Sequence, residues 1–283
     1  MSRASNPLEE LLEERAALLA DVRAFFSDRS FLEVDLPLLI PKAQIDAYIN
    51  PIETSSGFLH TSPEYAMKKV LSQVPRDIYQ IAHVFRKGES GRYHTPEFLM
   101  VEWYRIGFGY QALIDETLAL LQHLLGPLEV RYARFQDLWR FVHQDDLRTK
   151  EENFDAFVVP ELRKQEICVI TDYPSEAASL AHVEEGTAQR FEIYMRGLEL
   201  ANGFVECSCS KTLRGRLEEQ NALRTAAGNP AYEIDEESLQ ASEQLPPCAG
   251  VSVGLDRVFL RKKSATHLDE ISPLHLVTQS LAL

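Results

Sequence analysis

The chain has 283 residues, 45% hydrophobic and 25% charged, enough apolar material for one large domain with a full core. Its 43 acidic and 29 basic residues give a formal charge of −14, a field that repels nucleic acid unless basic residues are gathered in a patch. The one short basic run, Arg261-Lys262-Lys263, fits a solvated helix end better than a nucleic-acid site. The four cysteines form no C-x-x-C pair, which argues against zinc. No apolar run reaches the roughly 18 residues of a membrane span. The N-terminus lacks the apolar stretch of a signal peptide, so the expected location is the reducing cytoplasm.

Asn6 suits a helix cap and Pro7 the first helical position. Leu8, Leu11, Leu12, Ala16, Leu19, Val22 and Phe26 then recur at helical spacing to about Ser27. Phe31 to Pro37 predicts a short strand stopped by proline. Thr61-Ser62-Pro63-Glu64 opens another helix, with a hydroxyl cap and an acid near its positive end. Asp77–Phe85 and Glu97–Ile106 predict two strands joined by a glycine-containing loop, an antiparallel hairpin. A helix is expected over Tyr110–Leu125, and residues of about 128–165 carry little periodicity, as a small insertion does. Phe191–Arg196 and Leu198–Cys207 predict a strand pair turning at Gly197, with Cys207 and Cys209 alternating and unbridged. Lys211–Ala227 reads as a polar helix stopped by Gly228, and Gly250–Gly254 as a small-residue strand entering a helix at Asp256-Arg257. Hairpin-linked strands with peripheral helices predict an α+β fold.

Three segments carry the chemistry. Arg86, Glu89, Arg92 and His94 lie on or beside one loop, where arginine forks and an imidazole suit a polyphosphate. Strand alternation then sets Phe98, Met100, Glu102 and Tyr104 on one face, an aromatic platform beside a candidate amine pocket. From spacing alone, a salt-bridged surface hairpin fits equally well. In Glu199-Leu-Ala-Asn202-Gly203-Phe204-Val-Glu206, two carboxylates and an amide suit Mg²⁺ and an ammonium group. Strict alternation separates Glu199 from Glu206, and a bulge at Asn202-Gly203 would reunite them. Gly250-Val-Ser-Val-Gly254-Leu-Asp256-Arg257 lets a ligand approach closely and offers Arg257 to a phosphate, although taken alone the segment reads better as a packed junction with a structural Asp–Arg pair.

In their order and joint presence these segments resemble the motifs of class II aminoacyl-tRNA synthetases of the lysine branch. Phe31–Pro37 resembles motif 1, Phe85–Arg105 motif 2 and Cys248–Leu260 motif 3. The lysine branch is marked by Thr61-Ser-Pro-Glu-Tyr65, His94-x-Pro-Glu-Phe98 and Glu199-Leu-Ala-Asn-Gly-Phe204. Ser62-Pro-Glu-Tyr65-x-Met67-Lys68, Gly91-Arg-Tyr-His94 and Glu102-Trp-Tyr104-Arg105 are most similar to its truncated paralogues, which attach (R)-β-lysine to elongation factor P.

The resemblance implies a class II catalytic fold, an antiparallel sheet flanked by helices, as a single domain over residues 1–283 without an anticodon-binding OB-fold. It implies ATP as substrate, Mg²⁺, lysine or (R)-β-lysine, elongation factor P rather than tRNA as acceptor, and a homodimer formed through motif 1. A minimal tRNA-charging enzyme and an inactive synthetase-like binding protein are the alternatives. By position, Arg86 and Arg257 are the catalytic arginines. Arg86, Gly88, Glu89, His94, Phe98, Glu199, Leu200, Gly254 and Arg257 face ATP. Ser62, Glu64, Tyr104, Asn202 and Glu206 line the amino-acid pocket, and Glu199 and Glu206 hold the metal. The chain departs from the pattern at Gly88, where lysyl synthetases usually have glutamate, with Glu89 next. It departs again at Ser252, where they have glycine and the paralogues alanine, and at Cys207-Ser208-Cys209.

Overall fold

The computed structural model describes residues 6–140, 142, 153–275 and 277. The first helix runs Pro7–Ser27, with the Asn6 side chain accepting from the Leu8 amide at 3.1 Å. Its buried side Leu11, Leu18, Val22, Phe25 and Phe26 follows the helical repeat. The expected motif 1 strand is shorter: β1 is only Leu32–Glu33. After Val34 donates to Tyr79 O the chain leaves the ladder, and Leu36 O instead accepts from the Gln80 side chain at 3.2 Å.

Three short strands not expected from the sequence follow: β2 Leu39–Ile40, β3 Ile52–Thr54 and β4 Gly57–Leu59, in order β2-β4-β3. Gly57 has φ +137° and a Cβ there would lie 2.4 Å from Ile40 O, so only glycine fits. The next helix is Glu64–Gln73. Ser62 Oγ accepts from the Glu64 amide at 3.0 Å, while Thr61 bonds Gln44 through both its amide and its hydroxyl.

The hairpin forms with β5 at Ile78–Phe85 and β6 at Glu97–Ile106, and the helix Tyr110–Leu125 has the expected bounds. Of the segment expected as an insertion, Val130–Arg134 is β7, an edge strand of the main sheet, and Leu138, Val158 and Leu162 join a buried cluster. β8 is Ile167–Thr171; β9 (Tyr173–Pro174), β10 (Val183–Glu184) and β11 (Thr187–Ala188) form a small sheet. β12 (Arg190–Met195) and β13 (Leu198–Val205) turn at Arg196-Gly197, both with positive φ. β13 stops short of Cys207, which is buried with Leu213 and Leu217, while Cys209 is exposed ahead of the helix Ser210–Ala226. All four cysteines are free. The chain continues through the helix Glu236–Glu243, β14 (Cys248–Gly254) and the helix Leu255–Lys262.

The main sheet has the order β1-β5-β6-β14-β13-β12-β8-β7. Its inner pairs are antiparallel, as expected, but both edge pairs, β1 with β5 and β7 with β8, are parallel, so the sheet is mixed. One face is covered by the helices Pro7–Ser27, Tyr110–Leu125 and Leu255–Lys262, and holds the largest core cluster around Trp103, Phe26 and Tyr79. Phe26 stacks on Tyr79 at 4.3 Å; burying each such ring contributes on the order of 2–3 kcal/mol. The opposite face carries Met100, Glu102 and Tyr104, the alternation expected for β6. Among the described residues no helix is long and apolar enough to cross a membrane.

The Ser210–Ala226 helix is tied to the loop before β3 by a buried arginine. Arg224 is fully buried and donates to Asp46 O, Ile49 O, Pro230 O and Asn50 Oδ1. Gln220 accepts from the Ala47 amide beside it at 2.9 Å. Arg224→Ala leaves those acceptors unpaired and should lower stability by about 3 kcal/mol, read as a fall in the urea midpoint at unchanged slope.

Candidate active site

A cavity of about 200 Å³ opens on the polar face of the sheet. Ser62, Glu64, Arg86, Tyr104 and Asn202 line it, together with Gln44, Glu102, Phe204 and Ser252. Gly250 lies under Tyr104, whose ring would be 2.4 Å from a Cβ there, so the phenol sits flat on the strand. Tyr104 donates to Glu102 Oε1 at 2.7 Å and Ser62 to Glu102 Oε2 at 2.8 Å. Glu102 is buried, and burial, with Glu64 nearby, pushes its carboxyl up to about 7 against the pull of these hydroxyls.

Glu64 and Glu206 share the ammonium of Lys68, at 2.6 Å from each. The Lys68 and Glu206 side chains are only 7% and 3% exposed. Burial, with Glu64 and Glu102, raises the Glu206 carboxyl, while Lys68 pulls it down. Glu206 Oε1 is buried with no hydrogen-bond partner.

At the other end the groups are cationic. The Arg86 guanidinium lies 5.0 Å from the Phe98 ring centroid and 3.6 Å from Glu89. Arg257 donates to Glu199 O at 2.9 Å and to His94 Nε2 at 2.8 Å. Burial and then the Arg257 charge lower the His94 pKa, which keeps the ring neutral and able to accept. Gly88 has φ +83° in the turn between Arg86 and Glu89. Gly254 precedes the last sheet-covering helix. The Asp256–Arg257 pair divides: Asp256 turns into the fold, taking Leu99 N and Arg15 at 2.7 Å each, and leaves Arg257 to the site.

The bulge in β13 is not at Asn202-Gly203. Ile193 pairs with Ala201 and Tyr194 with Glu199, so Leu200 is the extra residue, while Asn202 and Gly203 pair in regular register. Leu200 and Ala201 both enter the core, which leaves only the Leu200 backbone to the site. The parity shift gives Glu199, Asn202, Phe204 and Glu206 one face.

The two glutamates nevertheless do not converge on one metal ion. Glu206 lies just past the end of β13, seven residues from Glu199 and roughly 20 Å away at ~3.3 Å per residue, and neither is among the residues that line the cavity. Glu206 already has Lys68 as its cation. The carboxylate facing Glu199 is Glu192 on β12, a residue the sequence did not single out. After burial, its charge is the main reason that the Glu199 pKa is raised. Glu192 is held by Arg190, Tyr173 and Tyr194. Lys68, Gln44 and Arg190 were missed with it. Only Lys68 carried a signal, its i,i+4 spacing from Glu64, which on most helices marks an exposed pair.

A strand-built face thus carries arginines at one end and buried acids at the other. The profile described as tRNA synthetases class II (D, K and N) matches residues 2–274, and the chain belongs to that family. It is 35% identical to the elongation factor P–(R)-β-lysine ligase of Edwardsiella ictaluri, covering 94% of this chain and 95% of that protein. It is 34% identical to the protein of that name from Vibrio vulnificus (93% and 94% covered), and 33% to that from Vibrio cholerae (92% and 94%).

Raised carboxyl pKa values at the acid end set a pH dependence. Burial raises the Glu102 and Glu206 carboxyls, and an ammonium ligand beside them favours their ionised forms. Affinity for such a ligand should therefore rise with pH through about 7 and level off above about 8. Calorimetry of a diamino acid binding across that range, with proton release measured in two buffers, checks it; a flat profile would contradict the assignment of these carboxyls.

Proposed function

We propose that this chain activates a lysine-type amino acid with ATP and transfers the acyl group to a lysine side chain of elongation factor P. The observation that carries this is the bipolar site: Arg86 and Arg257 at one end, and Glu64, Glu102 and Glu206 at the other, on one sheet face. The names of its relatives support the substrate and the acceptor.

The amino-acid carboxylate attacks the α-phosphorus of ATP in line, and pyrophosphate leaves. Arg86 offsets the charge that gathers on the α-phosphoryl oxygens, and Arg257 with neutral His94 binds the outer phosphates. Phe98 is the platform for adenine once Arg86 turns to the phosphates, with Gly88, Glu89, Gly254 and the Leu200 backbone around the nucleotide. Ser62, Glu64, Tyr104, Asn202 and Glu206 hold the amino acid. In the second step an uncharged amine attacks the acyl carbon; the new C–N bond forms as AMP leaves with the C–O electron pair, and the nitrogen gives up a proton to solvent.

Mg²⁺ fits at Glu199. Its carboxylate faces that of Glu192, a like-charge pair that a cation relieves, whereas Glu206 has its own counter-ion. Bound there with the triphosphate, it would supply charge neutralisation.

The proposed enzyme is cytoplasmic and a homodimer, with tRNA a poor acceptor. Leu32 and Leu39 are exposed hydrophobics at and after the edge strand β1, which a second subunit would cover. A monomer in sedimentation at micromolar concentration would remove the dimer from the proposal.

ATP–pyrophosphate exchange should depend on a lysine-type amino acid and Mg²⁺, and Arg86→Ala should slow it by about two orders of magnitude or more. With equal enzyme, ATP and amino acid, label should appear on unmodified elongation factor P and not on total tRNA. Saturable transfer to tRNA alone would replace this function with tRNA charging. Running (R)-β-lysine against lysine in wild type and Ser252→Gly tests the isomer, because Ser252 lines the cavity between its sheet partners Glu102 and Asn202.

A further inference from the structure

Lys68 is a buried ammonium beside the cavity proposed to recognise ammonium groups, bonded to Glu64, which lines that cavity. It stands on the helix Glu64–Gln73 and touches two carboxylates, Glu64 one turn before it and Glu206 past the end of β13, each at 2.6 Å. The Phe204 ring lies 5.3 Å from its nitrogen. The other ionisable groups around it are Glu102 and Tyr104 on β6, Tyr65 on its own helix and Cys248 on β14. Among the described residues Lys68 is the one cation in this group.

The charges can be counted. Glu64, Glu102 and Glu206, when ionised, bring three negative charges, and Lys68 brings one positive charge. Two negative charges remain, the number that the two ammonium groups of a diamino acid neutralise. A monoamino acid of the same length leaves one buried carboxylate without a counter-ion, which must then take up a proton. Geometry adds to the count. Lys68 occupies Glu206 Oε2 and Glu64 Oε1, so Glu206 keeps one buried oxygen, Oε1, with no partner.

We propose that Lys68 is a positioning residue for substrate selection: its ammonium fixes Glu64 and Glu206 and sets the acid end at the two negative charges that a diamino acid matches. It touches neither ATP nor the reacting carboxylate. This rests on the amino-acid-activating function proposed above. Without Lys68 the carboxyls satisfy each other by sharing protons, and the pocket loses its preference for a second ammonium group.

The test is ATP–pyrophosphate exchange with the preferred diamino acid and with the same chain lacking the terminal amine, in wild type, Lys68→Met and Lys68→Gln. Wild type should favour the diamino acid strongly. In both variants the ratio of kcat/KM values should fall about tenfold or more, through KM for the diamino acid, with KM for ATP changed by less than about threefold. An unchanged ratio in either folded variant overturns the inference. So does failure of both to fold, which would make Lys68 a residue of stability alone. Wild-type enzyme that does not distinguish the two compounds, or shows no exchange, overturns instead the function on which the inference rests.

Discussion

Glu199 on β13 and Glu206 just past its end are an odd number of residues apart, and a regular pleat would send one of them into the core. The extra residue at Leu200 removes that conflict. With Leu200 and Ala201 both packed inward, Glu199 keeps the face of Asn202, Phe204 and Glu206. The polar face then has a continuous line of side chains from the cationic end to the acidic end. The rest of the site is arranged along it: β14 sets Ser252 beside Asn202, and β6 sets Glu102 beside Ser252.

Keeping the two ends apart matters as much as joining them. Arg257 could pair with Asp256, its neighbour in sequence, and would then be spent on structure. The helix start prevents this: Asp256 points into the fold to take Leu99 N and Arg15, and Arg257 points out to Glu199 O and His94. Glu116 does similar work behind the sheet, accepting from Trp103 and Arg105 so that a buried acid and a buried indole satisfy each other. Asp256 and Glu116, which face away from the cavity, thus have partners of their own.

Local pattern carried much of this into the sequence. The bounds of β6 and of the helix Tyr110–Leu125 were legible because alternation, helical spacing and the Gly126-Pro127 stop are properties of adjacent residues. The alternation of Met100, Glu102 and Tyr104 on the cavity face follows from the same period. What depends on a partner strand was not legible. The bulge fell at Leu200, inside an apolar stretch, because it answers to the packing of β13 on β12 and not to a glycine. The parallel edge pairs and the short β1 are likewise set by which strand lies alongside. Glu192 was passed over because its meaning comes from Glu199 across the ladder.

The metal assignment shows how one error in three dimensions follows from one dimension. Two acids in a motif looked like a pair, and the bulge does bring them to one face. Sharing a face is a weaker condition than sharing an ion. A strand extends ~3.3 Å per residue, so carboxylates seven apart can mark the two ends of a ligand but cannot grip one cation. Their surroundings agree. Glu199 feels Glu192, Arg257, Arg86 and Arg190, whereas Glu206 feels Lys68, Glu64 and Glu102. These sets do not overlap. In the proposed function the motif links a nucleotide end to an amine end, and carboxylates this far apart answer to different groups.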